Sequence, residues 1–221
     1  MSLVLIANIV ACGCAFIGFV YGVLKFFRPK KAVYAQMITL SVGCMALGRL
    51  YQVVRLLTVG DIFVRFQLGI LGVIGSLLFL FSANFGMMDS LADDGSKKYS
   101  KYRIIPLAAP AVYIAAYLVF FLFSDCEPLV KIAAGILTVF VSGSSYFNLK
   151  HLIFPDVDFG VIKSLKLYNI LALAFAALCV IEMIAVSRGS DAGILITSVL
   201  IGLTLLAITP TVERGIKRWT T

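Results

Sequence analysis

Seven long apolar segments constrain the fold of this chain more than any other feature of its sequence. They cover residues 2–27, 34–59, 62–88, 104–123, 129–149, 167–187 and 192–210. A helix of about 20 apolar residues spans the hydrocarbon core of a bilayer. The segments are continuous, whereas the strands of a membrane β-barrel alternate between apolar and polar residues. The sequence therefore predicts an all-α, polytopic membrane protein with seven transmembrane helices.

The composition favours a single membrane domain over residues 1–221. The chain has 221 residues, of which 61% are hydrophobic and 14% charged, whereas about a quarter of the residues in soluble domains are charged. No polar stretch is long enough to bury a core of its own. The first segment is too long for the apolar part of a signal peptide, and no basic residues precede it. We therefore expect it to be retained as a helix.

Basic residues lie mainly on one side of the predicted helices. Fourteen of the nineteen lysines and arginines fall in the connections that follow helices one, three and five, or in the tail. They are Lys25, Arg28, Lys30, Lys31, Lys97, Lys98, Lys101, Arg103, Lys150, Lys163, Lys166, Arg214, Lys217 and Arg218. Positive residues in short loops mark the cytoplasmic side of a membrane. We therefore expect a plasma-membrane protein with its N-terminus outside and its C-terminus inside.

The same side of the membrane carries the whole net charge of +8. The acidic residues expected there are Asp89, Asp93, Asp94, Asp156, Asp158 and Glu213, and we expect Asp89 to be a solvated helix end. Membrane topology accounts for this charge, so nucleic-acid binding is not expected. The consequence we expect is attraction of the inner face to the anionic headgroups of the lipid bilayer.

Seven helices allow a parallel 3+1+3 arrangement in which helices one to three and five to seven form two units. Tyr21-x-x-Leu24-Lys25 ends the first helix and Tyr146-x-x-Leu149-Lys150 ends the fifth. Gene duplication and chance similarity explain these matches equally well. The topology resembles that of SWEET and PQ-loop transporters, whose halves are parallel repeats, and more distantly that of microbial rhodopsins. The resemblance stops at topology. The proline that marks the early helices of SWEET and PQ-loop repeats is absent from helices one, two, five and six, and helix seven lacks the lysine that a retinal protein needs. It identifies no functional residue.

Two further helices have features that predict their packing. Helix three carries Gly69, Gly72 and Gly75, and small residues at such steps let neighbouring backbones approach closely. Helix four contains Pro106 and Pro110 near its start. Pro110 should kink the helix, unless the helix begins so late that Pro110 lies in its first turn.

Ionised residues inside the apolar segments are the candidates for function. Arg49 lies too deep in helix two to reach the headgroups, and Glu182 lies in the outer half of helix six. At 1.5 Å per residue the two backbones differ by about 7 Å in depth, so a salt bridge can form if the helices are neighbours. Such a pair either fixes helix packing or marks a binding site, because intramembrane charges commonly line substrate paths.

Other polar residues extend this candidate site towards the outer surface. Gln52 and Arg55 share a helical stripe with Arg49, and Arg65 enters helix three at similar depth. They predict a cation-lined vestibule open to the outside, although Arg55 and Arg65 could instead reach the outer headgroups. The predicted ligand-binding residues are Arg49, Gln52, Arg55, Arg65 and Glu182. Arg49 would be the principal ligand, and Glu182 a counter-ion or gate.

No catalytic residues, metal or cofactor are expected, and we do not expect an enzyme. His151 is the only histidine, which excludes bis-histidine haem and multi-histidine metal sites within one chain. The sequence also lacks a Ser/His/Asp or Cys/His set and a phosphate-binding loop.

Two classes of function fit these observations. The first is a membrane carrier or binder of a small polar solute, anionic solutes included. The second is a receptor-like seven-helix sensor or an accessory subunit. Such a protein would signal to a separate membrane or cytoplasmic protein through its basic inner face.

Overall fold

The structure is a computed structural model that describes residues 3–28, 32–60, 66–89, 93, 95–155 and 161–220. Seven helices of at least 15 residues occupy most of this range, which contains no strand. They are α1 (Leu3–Gly22), α2 (Val33–Thr58), α3 (Gly69–Ala83), α4 (Ala108–Phe123), α5 (Pro128–Ile153), α6 (Val161–Ser187) and α7 (Asp191–Thr220). Turns of π-helix continue α1 through Val23–Phe27 and α3 through Asn84–Met88. The all-α prediction is confirmed.

Six helical segments are long and apolar enough to cross a membrane. They are Leu3–Phe27, Val33–Thr58, Lys97–Phe123, Pro128–Ile153, Leu165–Ser187 and Asp191–Lys217. The helix Gly69–Ala83 is apolar but shorter, at 15 residues. Large apolar side chains such as Leu47, Leu122 and Val139 are 68, 70 and 67% exposed, as expected for a surface that contacts lipid. The chain is a polytopic helical membrane protein.

Helix α3 begins later than the sequence predicts. Its predicted start, residue 62, lies outside the described residues, and residues 66–68 are not helical. The Phe66 N–H donates a hydrogen bond to Glu127 Oε2 at 3.3 Å. The first hydrogen bond at the start of α3 runs from the Ile70 N–H to the Gln67 carbonyl, only three residues back. A bond to the loop between α4 and α5 therefore replaces a regular helical start.

The prolines act differently in α4 and α7. Pro106 lies in a short 3₁₀ turn and Pro110 in the first turn of α4, where the missing N–H removes no helical bond. The predicted end of the last helix at Pro210 is wrong, because α7 continues to Thr220. Thr209 donates to the Gly18 carbonyl oxygen of α1 at 3.1 Å. This bond joins α7 to α1 directly before Pro210.

All of these helices except α4 form a closed ring. Each packs against the next in the order α1, α2, α3, α5, α6, α7 and back to α1, and the most extensive contact joins α1 to α7. Helix α4 lies outside the ring and packs against α5. Inside the ring, Met45, Leu77 and Tyr168 are fully buried. The ring therefore joins the first and last helices of the chain.

Glycines let α2 and α3 approach each other closely. A Cβ on Gly72 would lie 2.5 Å from the Gly48 Cα, and a Cβ on Gly48 would lie 2.8 Å from the Gly69 carbonyl oxygen. Backbone atoms occupy both places, so only glycine fits. The close packing predicted for helix three is confirmed, and it holds the part of α2 that carries Arg49.

The two ends of the bundle differ in their connections. We call the end where α1, α3 and α5 finish the basic end, and the end where α2, α4 and α6 finish the short-loop end. Five of the charged residues expected at the basic end lie outside the described residues, namely Lys30, Lys31, Asp94, Asp156 and Asp158.

Candidate binding site

Arg49 lies within α2 with its side chain directed into the ring. Val42 and Met45, which precede it by seven and four residues on the same helical face, are fully buried. Leu47 and Leu50 point outward and are 68 and 50% exposed. The helical period therefore carries the guanidinium inward, where Arg49 is only 6% exposed.

Three other helices supply partners for this guanidinium. Its Nη2 donates to Glu182 Oε2 of α6, and its Nη1 donates to Asn8 Oδ1 of α1 at 3.0 Å and to Ser198 Oγ of α7 at 3.3 Å. Ser198 in turn donates to Glu182 Oε1 at 2.5 Å. Arg49 Nε has no partner among the described residues. A network of charged and polar side chains thus connects four helices inside the ring.

The salt bridge that the sequence allowed is present, although α2 and α6 are separated in the ring by α1 and α7. Glu182 is 8% exposed and Arg49 is 6% exposed. Removing one member of a buried pair leaves an uncompensated charge and costs about 3–5 kcal/mol. The pair therefore ties opposite sides of the bundle together.

A cavity of about 140 Å³ adjoins the pair. A cavity of this size accommodates an organic molecule of about six to eight non-hydrogen atoms. Polar groups of Asn8, Arg49, Gln52 and Glu182 form part of its wall. Most of the remaining wall is apolar and includes Met45, Ile70, Val73, Leu137, Met183 and Val186. The site therefore combines a charged region with a larger apolar one.

The cavity lies towards the short-loop end. Its wall includes Phe66, which precedes α3, Cys126 in the loop before α5, and Ser187 at the end of α6. The hydrogen bond from Phe66 to Glu127 joins two of these segments. Residues at helix ends thus surround the part of the cavity farthest from the basic end.

The five predicted site residues have different positions. Arg49, Gln52 and Glu182 line the cavity, and the Gln52 amide covers Gly69, where a Cβ would lie 2.6 Å from Nε2. Arg55 is half-buried, its Nη1 has no partner among the described residues, and it does not line the cavity. Arg65 lies outside the described residues.

Sequence reasoning missed Asn8 and Ser198. Asn8 is a strongly polar residue in the otherwise apolar Leu3–Gly22 helix, and it is 4% exposed. A strongly polar side chain at that depth usually forms a hydrogen bond with another helix. Asn8 could therefore have been identified from the sequence as a candidate site residue. Ser198 stands next to Thr197 and resembles an ordinary small packing residue, which gives no comparable indication.

A second charged cluster lies at the basic end, and we call it the basic-end ion cluster. Lys150 Nζ lies 2.6 Å from Asp89 Oδ1 and 2.7 Å from Asp93 Oδ2, although Lys150 is only 3% exposed. Arg103 donates to both oxygens of Asp93 at 2.6 and 2.5 Å. His151 Nε2 lies 3.3 Å from Asp89 Oδ1. Asp89 is therefore paired, and the expectation of a solvated helix end is wrong.

The cluster favours the ionised form of both aspartates. Hydrogen bonds from Arg103, and secondarily from Lys150 and the Gly95 N–H, hold the pKa of Asp93 well below its usual range against the opposing effect of burial. Burial is the largest effect on Asp89 and raises its pKa, but hydrogen bonds and charge from His151 and Lys150 together outweigh it. The resulting pKa of Asp89 is also lowered.

Buried side chains fill the interior between the cavity and this cluster. Asn84 donates to Asn148 Oδ1 at 3.2 Å, and the Tyr168 hydroxyl lies 3.5 Å from Asn84 Oδ1. Asn84, Asn148 and Tyr168 are fully buried. A layer of buried polar side chains therefore lies on the basic-end side of the cavity.

Within the described part of the chain, no group of three His, Cys, Asp or Glu side chains is arranged to hold a metal ion. Comparison of the chain with protein-family models, with curated proteins and with solved structures finds no match.

Proposed function

We propose that the protein binds a small polar solute in the cavity beside Arg49 and Glu182 and carries it across the plasma membrane. One observation carries this proposal: a buried ion pair forms part of the wall of a cavity that is large enough for a solute. A pair that served packing alone would not need an adjoining cavity, because interiors are normally filled. The binding function involves no covalent chemistry.

The orientation and the two-unit arrangement belong to the same proposal. The N-terminus would lie outside, so that the cavity at the short-loop end faces the exterior and the basic end faces the cytoplasm. The contacts support two units, α1 to α3 and α5 to α7. The last helix of each unit packs against the first helix of the other, α3 on α5 and α7 on α1.

The buried layer towards the basic end suggests how such a carrier would work. The basic-end ion cluster and the layer of Asn84, Asn148 and Tyr168 would form the inner gate in this outward-facing state. Relative rocking of the two units would open this gate and close the cavity at the short-loop end, as in other carriers built from repeats.

Sensing is the second candidate function, and the same buried layer favours it. A receptor needs a ligand cavity on one side and no path through the bundle. In that case ligand binding would be transmitted through the basic end to a partner protein. The two candidates differ in whether the bound solute crosses the membrane.

The first test is ligand binding measured by thermal unfolding of the purified protein in detergent. The probes are L-amino acids, small carboxylates and sugars. A ligand at 100 times its Kd adds about 2.7 kcal/mol to the free energy of unfolding, which gives a clear melting shift. Val73→Phe adds bulk to the cavity wall, leaves both members of the pair in the sequence, and should abolish the shift. Val139→Phe makes the same change on an exposed face, with Val139 at 67% exposure, and should retain it.

Uptake of the radiolabelled probe with the largest shift into proteoliposomes then separates the candidates. Uptake that Val73→Phe abolishes supports a carrier, and binding without uptake supports a sensor. The absence of a shift with every probe would contradict solute binding in this cavity.

A further inference from the structure

The ionised groups in the cavity wall balance each other. Arg49 and Glu182 are the only charged side chains lining the cavity in the part of the chain that the structure describes. They contact each other directly, and their side chains are only 7 and 11% exposed. Among the described residues the site therefore offers a solute no net charge, although it has one strong hydrogen-bond donor and one strong acceptor.

A solute with a single charge fits this pair poorly. An anion that binds the guanidinium competes with Glu182, and it leaves that carboxylate buried beside a second negative charge. A cation that binds Glu182 leaves Arg49 in the corresponding position. Uncompensated buried charge is strongly unfavourable. A zwitterion avoids both penalties, because its carboxylate can bind Arg49 while its ammonium group binds Glu182.

The remaining wall restricts the rest of the solute. Met45, Ile70, Val73, Leu137, Met183 and Val186 present apolar atoms around the cavity. Its volume of about 140 Å³ suits a molecule of about six to eight non-hydrogen atoms. After the charged groups are placed, space remains for a short apolar side chain.

We propose that the solute is a small zwitterion with an apolar body, of the class of the short aliphatic α-amino acids. This inference rests on the proposed solute-binding function. The solute's carboxylate accepts hydrogen bonds from Arg49, which forms bidentate pairs with carboxylates. Its ammonium group donates to Glu182, close to the Ser198 hydroxyl. The resident ion pair is thereby exchanged for two new pairs, and no charge is left alone.

The test uses L-valine and two analogues that each lack one charged group. Isovalerate keeps the carboxylate and loses the ammonium group, whereas isobutylamine keeps the amine and loses the carboxylate. Binding to the purified protein is measured at pH 7 by calorimetry and by melting shift. We expect valine to bind, and each analogue to bind at least roughly 100-fold more weakly. Val73→Phe should remove valine binding and Val139→Phe should preserve it.

Glu182→Gln gives a second readout that depends on charge. Without the carboxylate the site becomes net positive, so isovalerate should gain affinity relative to valine. If isovalerate or isobutylamine binds the unmodified protein as well as valine does, solute binding stands and the zwitterion assignment is overturned. The same holds if other probes bind and valine does not. If neither these compounds nor any other probe binds, the proposed function itself is contradicted.

Discussion

At the scale of single residues, Arg49 is compatible with an apolar bundle because its charge is shared among Asn8, Glu182 and Ser198. None of the three lies on the same helix as Arg49. Glu182 supplies the opposite charge, while the amide and the hydroxyl accept further N–H groups. The arginine is therefore stable in the folded bundle, whereas exposure of its charge to lipid would be strongly unfavourable.

The pair predicts a characteristic pattern of stabilities. Arg49→Met and Glu182→Met should each lower the free energy of unfolding by about 3–5 kcal/mol, because each leaves a buried charge alone. The double variant should lose less than either single variant, since no charge remains uncompensated. Arg188→Met, at an exposed position, is the control and should change stability by less than about 0.5 kcal/mol. Unfolding in detergent measures all four, and additive losses would contradict the direct pairing.

The basic-end ion cluster predicts a loss of stability in acid. A carboxyl group whose pKa is lowered by folding stabilises the protein above its unfolded pKa of about 4. This contribution disappears as the pH falls through the lowered pKa values of Asp89 and Asp93. The melting temperature should therefore stay constant from pH 7 to about pH 5 and decrease at pH values below about 4. Asp93→Asn should show a smaller fall over the acidic range, and an equal fall would exclude Asp93 as a source.

Single residues also mark the limit of what the sequence can predict about the site. The depth of Arg49 and Glu182 was sufficient to predict a possible bridge, because helical rise converts sequence position into depth. The burial of Lys150 could not be predicted, because a lysine at a helix end looks solvated unless its neighbours are known. Its partners Asp89 and Asp93 are 61 and 57 residues away in sequence and come together only through the packing of α3 and α5.

At the scale of helices, the crossing of α2 and α3 depends on the absence of side chains at Gly48 and Gly72. The two backbones contact each other where α2 carries Arg49. Close approach in a membrane relies on packing more than on exclusion of water. Bulk at this crossing would therefore displace the helix that holds the binding site.

Gly72→Ala should lower the free energy of unfolding by about 1–3 kcal/mol, because the added methyl group meets backbone atoms that cannot move aside. Gly13→Ala is the matched control in α1. A Cβ there meets nothing within 4 Å, so its stability should stay constant or rise slightly. Thermal unfolding compares the two variants. Equal melting temperatures would contradict the close crossing.

Helix identity was predictable and several helix ends were not. Long apolar runs must form helices in lipid, since every backbone group needs a partner. The end of α7 was misjudged because the apolar run ends at Pro210, whereas the helix continues through polar residues to Thr220. The start of α3 was misjudged because an interaction with Glu127, on a distant loop, replaces helical bonds at Phe66.

At the scale of the whole molecule, the ring and the external α4 are the main features. Helix α4 passes outside the ring and allows α5 to run in the same direction as α3. The two contacts α3 on α5 and α7 on α1 then occupy corresponding places in the ring. These contacts could not be derived from the sequence, because the faint matches between the halves are too few to set helix neighbours.

Orientation is testable through Cys126, which lies in the loop before α5, while the other four cysteines lie in helices. With those four replaced by alanine, a membrane-impermeant maleimide should label Cys126 on intact cells. In the same background, Cys126→Ala combined with Lys98→Cys places the thiol at the basic end, which should react only after the cells are opened. The reverse pattern would show that the N-terminus is inside.

The distance along the chain between Arg49 and Glu182 has a consequence for biosynthesis. The acid follows the arginine by 133 residues. At about 5–20 residues per second, this means about 7–27 s of translation. Throughout that interval α2 is already made, but the carboxylate that pairs with Arg49 in the folded bundle is not. Nascent α2 must therefore stay beside water or a cellular insertion factor until α6 emerges, and a chain truncated before α6 would retain an orphan charge that quality control can recognise.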